Sequence, residues 1–331
     1  MSKLAVVVGA TGTQGGSVVQ SFLKSGRYQV RGLTRNTDGI KARKLCAQGV
    51  ELVRADLNDL ESLISAFKDA SVIYGVTDFF APFIANGTQA DKAREVEEAQ
   101  GRNIVQAAAR TPTLEHFIWS TMPDTNLNTQ GKVIVPHFQG KSEIDHYIRA
   151  EFGETLLPKT TFMIVAGYVD NFFWPPFSPL AIKALGKYAF IQPQDKSTVQ
   201  PVVGDAATNV GAFALRIAER PDVTRGNKTV LATLGFKTSE EMMLSLGKCL
   251  ESPIIYTQVD MDTYDALFPG WGKEMGLMVK YFEALGENAW TASGPGNPAL
   301  IKAEDLDLHV GKELESWEDA MSKKNWKSVF S

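Results

Sequence analysis

A short apolar strand that breaks on glycines and restarts as a helix constrains this chain more than any other stretch. Residues 4–8 (LAVVV) are apolar and mostly β-branched, the composition of a strand buried on both faces of a parallel sheet. The run stops at Gly9-Ala10-Thr11-Gly12-Thr13-Gln14-Gly15, and residues 16–24 then carry a helical pattern. In that setting each glycine has a task. Gly9 permits the tight turn, Gly12 lets the backbone approach a pyrophosphate, and Gly15 lets the helix pack close to the strand. The helix N-terminus offers free N–H groups and a positive dipole end to phosphate. The spacing is G-x-x-G-x-x-G rather than the commoner G-x-G-x-x-G, and in this context it predicts a dinucleotide site.

The alternation continues. Strands are expected over 28–34 (YQVRGLT), 50–54 (VELVR), 71–77 (SVIYGVT), 115–120 and 161–166, and helices over 40–48, 60–68, 89–110 and 137–151. Residues 78–88, rich in Phe, Pro and Gly, read as irregular. This rhythm gives βαβ units, whose right-handed crossovers bring the strand C-termini to one edge, where ligands bind. After Gly167 the character changes. Residues 171–180 (NFFWPPFSPL) exclude a regular helix. Short strands follow over 188–192, 199–203, 228–232 and 254–259, with helices over 206–217 and 239–250, further helix up to about 285, and a final helix within 313–331. The expected class is α/β: a Rossmann-type doubly wound parallel sheet over 1–166, and a smaller α+β C-terminal substrate or partner lobe over 167–331 that closes over the nucleotide edge.

At 331 residues and a formal charge of -4 with the signs interspersed, the chain has length for a full core and no basic run. Direct nucleic-acid binding is therefore not expected. Cys46 and Cys249 lie on separate predicted helices and read as reduced, buried and structural. Met1-Ser2-Lys3 leads straight into a strand, and no apolar run reaches membrane-spanning length. Neither a secretory leader, a membrane partner nor a metal site is expected. The expected location is the cytoplasm, or the nucleus for a regulator.

The end of the second strand separates NAD from NADP, because a carboxylate there binds the ribose 2′-OH whereas an arginine pairs with a 2′-phosphate. This chain has Arg35, with no acid before Asp38, and Lys41 and Arg43 follow at the next helix start. The reading is NADP. Asp56 and Leu57, after the third strand, are placed for an adenine edge, although Asp56 is equally a helix N-cap. Thr77, after the fourth strand, is placed near the ribose and pyrophosphate.

Short-chain dehydrogenases carry Tyr-x-x-x-Lys on the helix after the fifth strand. Residues i and i+4 share a helix face, and the lysine holds the nicotinamide ribose and lowers the tyrosine pKa. Here Lys141 is in place and His137 stands at the tyrosine position, while Tyr147 lies too far along the helix to substitute. An imidazole is an acid or base near neutral pH. An ordinary helix-start histidine fits His137 equally well. Ser120 and Thr121 end the fifth strand where a substrate-polarising hydroxyl belongs.

Six segments in order, GATGTQGGSVV, LTRN, ADLND, VTDFF, HFIWST and HFQGKSEIDHYIR, resemble the NmrA-like family of atypical short-chain dehydrogenases. The resemblance covers roughly the first 260 residues. It implies a Rossmann fold with NADP preference. It also implies cofactor contacts from Gly9, Ala10, Thr11, Gly12, Thr13 and Gln14, from Arg35, Asn36, Thr37, Asp38 and Gly39, and from Asp56 and Leu57. Further implied contacts are Thr77, Asp78, Phe79 and Lys141, and the turn Ala166, Gly167, Tyr168 and Val169. The family holds isoflavone-reductase-type enzymes and NADP-binding redox sensors that regulate partner proteins. Two functions follow. One is an NADPH-dependent reductase of a small hydrophobic or aromatic carbonyl, enone or imine, with Lys141, His137 and Thr121 as catalytic candidates and an apolar pocket walled by residues 78–83 and 171–177. The other is an NADP(H)-binding sensor with a regulatory protein partner and no turnover.

Overall fold

The computed structural model describes residues 3–292 and 299–327. The first half alternates as expected: β1 (Lys3–Val7), α1 (Thr13–Ser25), β2 (Tyr28–Thr34), α2 (Ile40–Ala47), β3 (Glu51–Arg54), α3 (Leu60–Ala66), β4 (Val72–Gly75), α4 (Phe80–Ala85), α5 (Ala90–Ala109), β5 (His116–Thr121), α6 (Thr125–Thr129), α7 (Pro136–Glu151) and β6 (Thr160–Val165). The second half runs β7 (Gly167–Tyr168), β8 (Leu180–Ile182), β9 (Lys187–Gln192), β10 (Val199–Gly204), α8 (Ala206–Glu219), α9 (Pro221–Thr224), β11 (Lys228–Ala232), β12 (Gly235–Thr238), α10 (Ser239–Leu250), β13 (Ile254–Gln258), α11 (Met261–Leu267), α12 (Gly272–Leu285) and α13 (Trp317–Ser322).

Seven parallel strands form the central sheet in the order β11-β6-β5-β4-β1-β2-β3, so the direction of winding reverses between β1 and β4. A crevice opens beyond the strand ends at such a reversal. The β1 side chains alternate between two cores. Ala5 and Val7 pack with Val18, Phe22, Val210 and Phe213 of α1 and α8, and Val6 and Val8 with Phe67, Ile104, Trp119 and Ile144 on the other face. Two smaller sheets, β12-β10-β7 and β13-β9-β8, make the rest of the second half.

Three expectations change. Residues 78–88 are not wholly irregular, because the Asp78 carboxylate accepts from the N–H groups of Phe80 and Ala81 at 3.0 and 3.4 Å and starts α4. The proline-aromatic segment forms no regular helix, as expected, and makes two 3₁₀ turns, Val169–Phe173 and Pro175–Phe177. The strand at 228–232 forms, but as β11 it pairs with β6 and completes the central sheet. Cys46 is exposed and Cys249 half-buried, and both are free thiols. Of the final helix expected within 313–331, α13 is present, and residues 328–331 lie outside the described residues. Among the described residues, no helix is long and apolar enough to cross a membrane, and no cluster of three or more acidic, His or Cys side chains is arranged to hold a metal.

Candidate functional site

The turn after β1 is built by its glycines. Gly9 has φ +66°, and its carbonyl accepts from the Gly12 N–H at 2.8 Å. A Cβ on Gly15 would lie 2.2 Å from the Gly9 carbonyl oxygen, so only glycine lets α1 start this close to the strand. The α1 N-cap is Gly12, which has no side chain to cap with, and the first turn carries no acid. Its N–H groups and dipole therefore remain available to an anion.

A cleft of about 620 Å³ opens above this turn. It is lined at one end by Gly9, Thr11, Gly12, Thr13, Gln14, Gly15, Arg35, Asp56, Leu57, Thr77 and Asp78, and across the seam by Ala166, Gly167 and Tyr168. Among the described residues, Arg35 has no carboxylate partner, and Lys41 Nζ reaches the Thr11 carbonyl at 3.5 Å. Several expected contacts lie elsewhere. Ala10 is fully buried beneath the turn, its N–H donating to the Leu33 carbonyl at 3.1 Å. Asn36, Thr37, Asp38 and Gly39 do not line the cleft; they form a turn in which Asn36 Oδ1 accepts from the Asp38 N–H at 3.0 Å and Gly39 caps α2. Val169 points into the core of the second half.

Gln14 ties the cleft floor together. Its Oε1 accepts from the Tyr74 hydroxyl at 2.7 Å and from Ser120 Oγ at 2.8 Å, and its Nε2 donates to the Tyr168 hydroxyl. Burial raises both phenols, opposed at Tyr168 by the Gln14 bond; Tyr168 is pushed up to about 12. Tyr168 is the cleft's tyrosine among the described residues, and it is held neutral. Thr121, against expectation, does not line the cleft. Strand alternation sends Ser120 toward Gln14 and Thr121 to the opposite face, where it is buried on the side of Asp145 and its Oγ1 donates to the Met122 carbonyl at 3.4 Å. Asp145 is itself pushed up to about 7 by burial, against the Arg149 charge and the Thr121 bond.

On α7, Lys141 faces the cleft and its ammonium donates to Glu97 Oε1, which also accepts from Thr77 Oγ1 at 2.8 Å. Glu97 lies on α5 with no exposed surface, and its Oε2 has no partner among the described residues. A Cβ on the neighbouring Gly140 would fall 2.8 Å from that oxygen, so the glycine makes room for the pair. Glu97 was not anticipated as a site residue. The signal for it is its place on the apolar stripe of α5, in line with Ala93, Gly101, Ile104 and Ala108.

One turn before Lys141, His137 also lines the cleft. Its Nδ1 and its backbone N both meet Glu274 Oε1, at 2.6 and 3.1 Å. Glu274 is 3 % exposed and comes from the first turn of α12. The His137 ring sits among Phe79, Phe80 and Phe138, with centroids 5.6, 5.7 and 4.8 Å away. Beyond them Phe80, Trp174 and Trp271 cluster at mutual distances of 5.1 to 5.8 Å. The expected aromatic segments thus supply Phe79, Phe80, Trp174 and Phe177 to the cleft, while Phe83 and Phe172 are core residues. The third contributor, Trp271 with Met275, Met278 and Phe282 of α12, was not anticipated.

The profile of the NmrA-like family matches residues 1–315. An NmrA-like family domain-containing oxidoreductase of Aspergillus hancockii is 33% identical over 179 residues, covering 54% of this chain and 50% of that protein, so the match spans half of the relative's length. An NmrA-like family domain-containing protein of Dictyostelium discoideum is 26% identical over 332 residues, 99% of both chains. In three dimensions the chain superposes on NmrA, a negative transcriptional regulator solved in complex with NADP, with a TM-score of 0.74 at 22% identity over 98% of this chain and 99% of that one. At that identity the likeness is one of fold.

Proposed function

Since this chain belongs to the NmrA-like family, we propose that it is an NADPH-dependent reductase of a small hydrophobic or aromatic carbonyl, enone or imine. The observation that carries the reading is a single cleft with two unlike ends. One is an uncapped helix start beside Arg35, which has no carboxylate partner among the described residues, and the other is an aromatic wall, with Lys141 and His137 between them. The residues suit a dinucleotide with a 2′-phosphate. The α1 N-terminus receives the pyrophosphate, Arg35 the 2′-phosphate, and Asp56 with Leu57 the adenine edge. Thr77 and Lys141, both bonded to Glu97, are placed for the nicotinamide ribose. When bound, the dinucleotide supplies a hydride. The chain binds and orients, and its aromatic rings keep water from the reacting end.

A second reading is an NADP(H)-binding regulator without turnover. It is favoured by α7, which carries His137 rather than a tyrosine four residues before Lys141. It also agrees with the regulatory description of NmrA.

Calorimetric titration with NADPH, NADP⁺ and NADH, followed by loss of NADPH absorbance against a panel of hydrophobic carbonyls and imines, tests both. Tight NADPH binding with turnover is the expected result. Tight binding with no turnover, and a clear preference for one redox form, replaces the reductase with the regulator. Absence of binding overturns both readings.

A further inference from the structure

We propose that His137 is the proton donor of this reduction and that Glu274, delivered by α12, is the positioning residue that aims it. The inference rests on the reductase reading.

Glu274 accepts from both nitrogens that His137 turns toward α12, the backbone N–H at 3.1 Å and Nδ1 at 2.6 Å. A buried carboxylate is an acceptor, so the proton at this contact sits on Nδ1. The free ring atom is then Nε2. It has no hydrogen-bond partner among the described residues, and the ring borders the cleft beside Phe79 and Phe80. His137 stands four residues before Lys141, so both groups look into one space from one helix face.

The alternatives are placed or engaged elsewhere. Tyr168 sits beside Gln14 of the glycine turn, from whose Nε2 its hydroxyl accepts, rather than on the helix face of His137 and Lys141. Thr121 faces Asp145 on the far side of β5. The Lys141 ammonium is taken by Glu97. Tyr147 lies under the Arg102 guanidinium at 4.3 Å and does not line the cleft. His116 is bonded to Thr161 and His146 to Asp124, both away from the cleft.

The step balances. A hydride from reduced nicotinamide forms a new C–H bond at the electrophilic carbon, and the C=O or C=N π pair moves to the heteroatom. The heteroatom takes the proton from Nε2 of the imidazolium. His137 is left as the neutral Nδ1–H form that Glu274 favours, and solvent returns the proton. The nicotinamide loses two electrons and the substrate gains them.

Two measurements decide the matter, one of them on the protein alone. In ¹⁵N spectra, neutral His137 is expected as the Nδ1–H tautomer in the wild type, with that preference lost in Glu274→Gln. Against a substrate that the wild type reduces, His137→Gln and His137→Asn are expected to lower kcat about 100-fold, and Glu274→Gln about tenfold, with the NADPH Kd unchanged. Added imidazole should restore part of the rate to His137→Ala. An unchanged NADPH Kd also certifies that each variant is folded. A wild-type His137 in the Nε2–H form overturns the role of Glu274. A wild type that turns over beside a fully active His137→Gln overturns the donor and leaves the reductase standing. A wild type that reduces nothing in the panel fails the reductase reading itself, and the donor falls with it.

Discussion

At its glycine end the cleft is made of main chain, and at its aromatic end it is made of side chains. The glycine end comes from residues 9–15 and the ends of β2, β3 and β4, within the first eighty residues, faced across the seam by Ala166, Gly167 and Tyr168. Its geometry depends on backbone that cannot admit a Cβ. The aromatic end gathers Phe79 and Phe80, His137 and Phe138, Trp174, and Trp271 with the inner face of α12, from four separated parts of the chain. A backbone-built site changes little as side chains vary, and suits a ligand that stays the same. A side-chain-built site is free to change with its substrate.

The largest expected effect breaks the glycine end alone. Gly15→Ala places a Cβ 2.2 Å from a carbonyl oxygen that cannot move without moving β1. NADPH binding by calorimetry should be abolished outright and the melting temperature lowered, as overpacking against immovable backbone requires. Next comes the charged pair between the ends. Lys141→Met leaves Glu97 buried and uncompensated, and should destabilise by about 3–5 kcal/mol in denaturant unfolding. The double variant Lys141→Met/Glu97→Gln should recover most of that, which identifies the pair as the source.

A matched pair of substitutions then separates the ends. Arg35→Ala should weaken NADPH about 10–100-fold and leave NADH unchanged, as expected for losing a charge-assisted contact to phosphate. Trp271→Ala should raise KM for an aromatic substrate about tenfold, on the order of one ring contact, and leave the NADPH Kd unchanged. If Trp271→Ala weakened NADPH as much as Arg35→Ala does, the two ends would not be separable.

An effect that touches neither end lies behind the floor, at Asp145. Its carboxyl is pushed up to about 7 by burial, while an unfolded aspartate titrates near 3.9. Between those values the folded chain holds the extra proton, so stability falls as pH rises through the window and levels off above it. Melting temperatures at pH 5 and 8 should show this loss in the wild type, and a smaller one in Asp145→Asn. Neither end of the cleft should respond.

The same contrast explains what could be read from the residues. The glycine turn, Arg35, Asp56 and Lys141 were legible because each follows a strand or repeats at helical spacing, so local rules place it. Thr121 was misplaced by giving two adjacent strand residues one facing, although alternation turns only Ser120 toward Gln14 beneath the cleft. Glu97 was visible as an acid on an apolar stripe, but its partner lies 44 residues later on another helix. Glu274 and Trp271 carry no local mark, and only the docking of α12 against the start of α7 brings them to His137.

The pairing of β11 with β6 has a consequence for how the chain is made. Translation releases β6, TTFMIV, long before Lys228 emerges, and until then its outer edge is an open row of peptide groups on an apolar strand. The first 166 residues expressed alone keep that edge permanently exposed and should aggregate unless a chaperone shields it. The nucleotide-binding half therefore reaches its finished form only after much of the other half has left the ribosome.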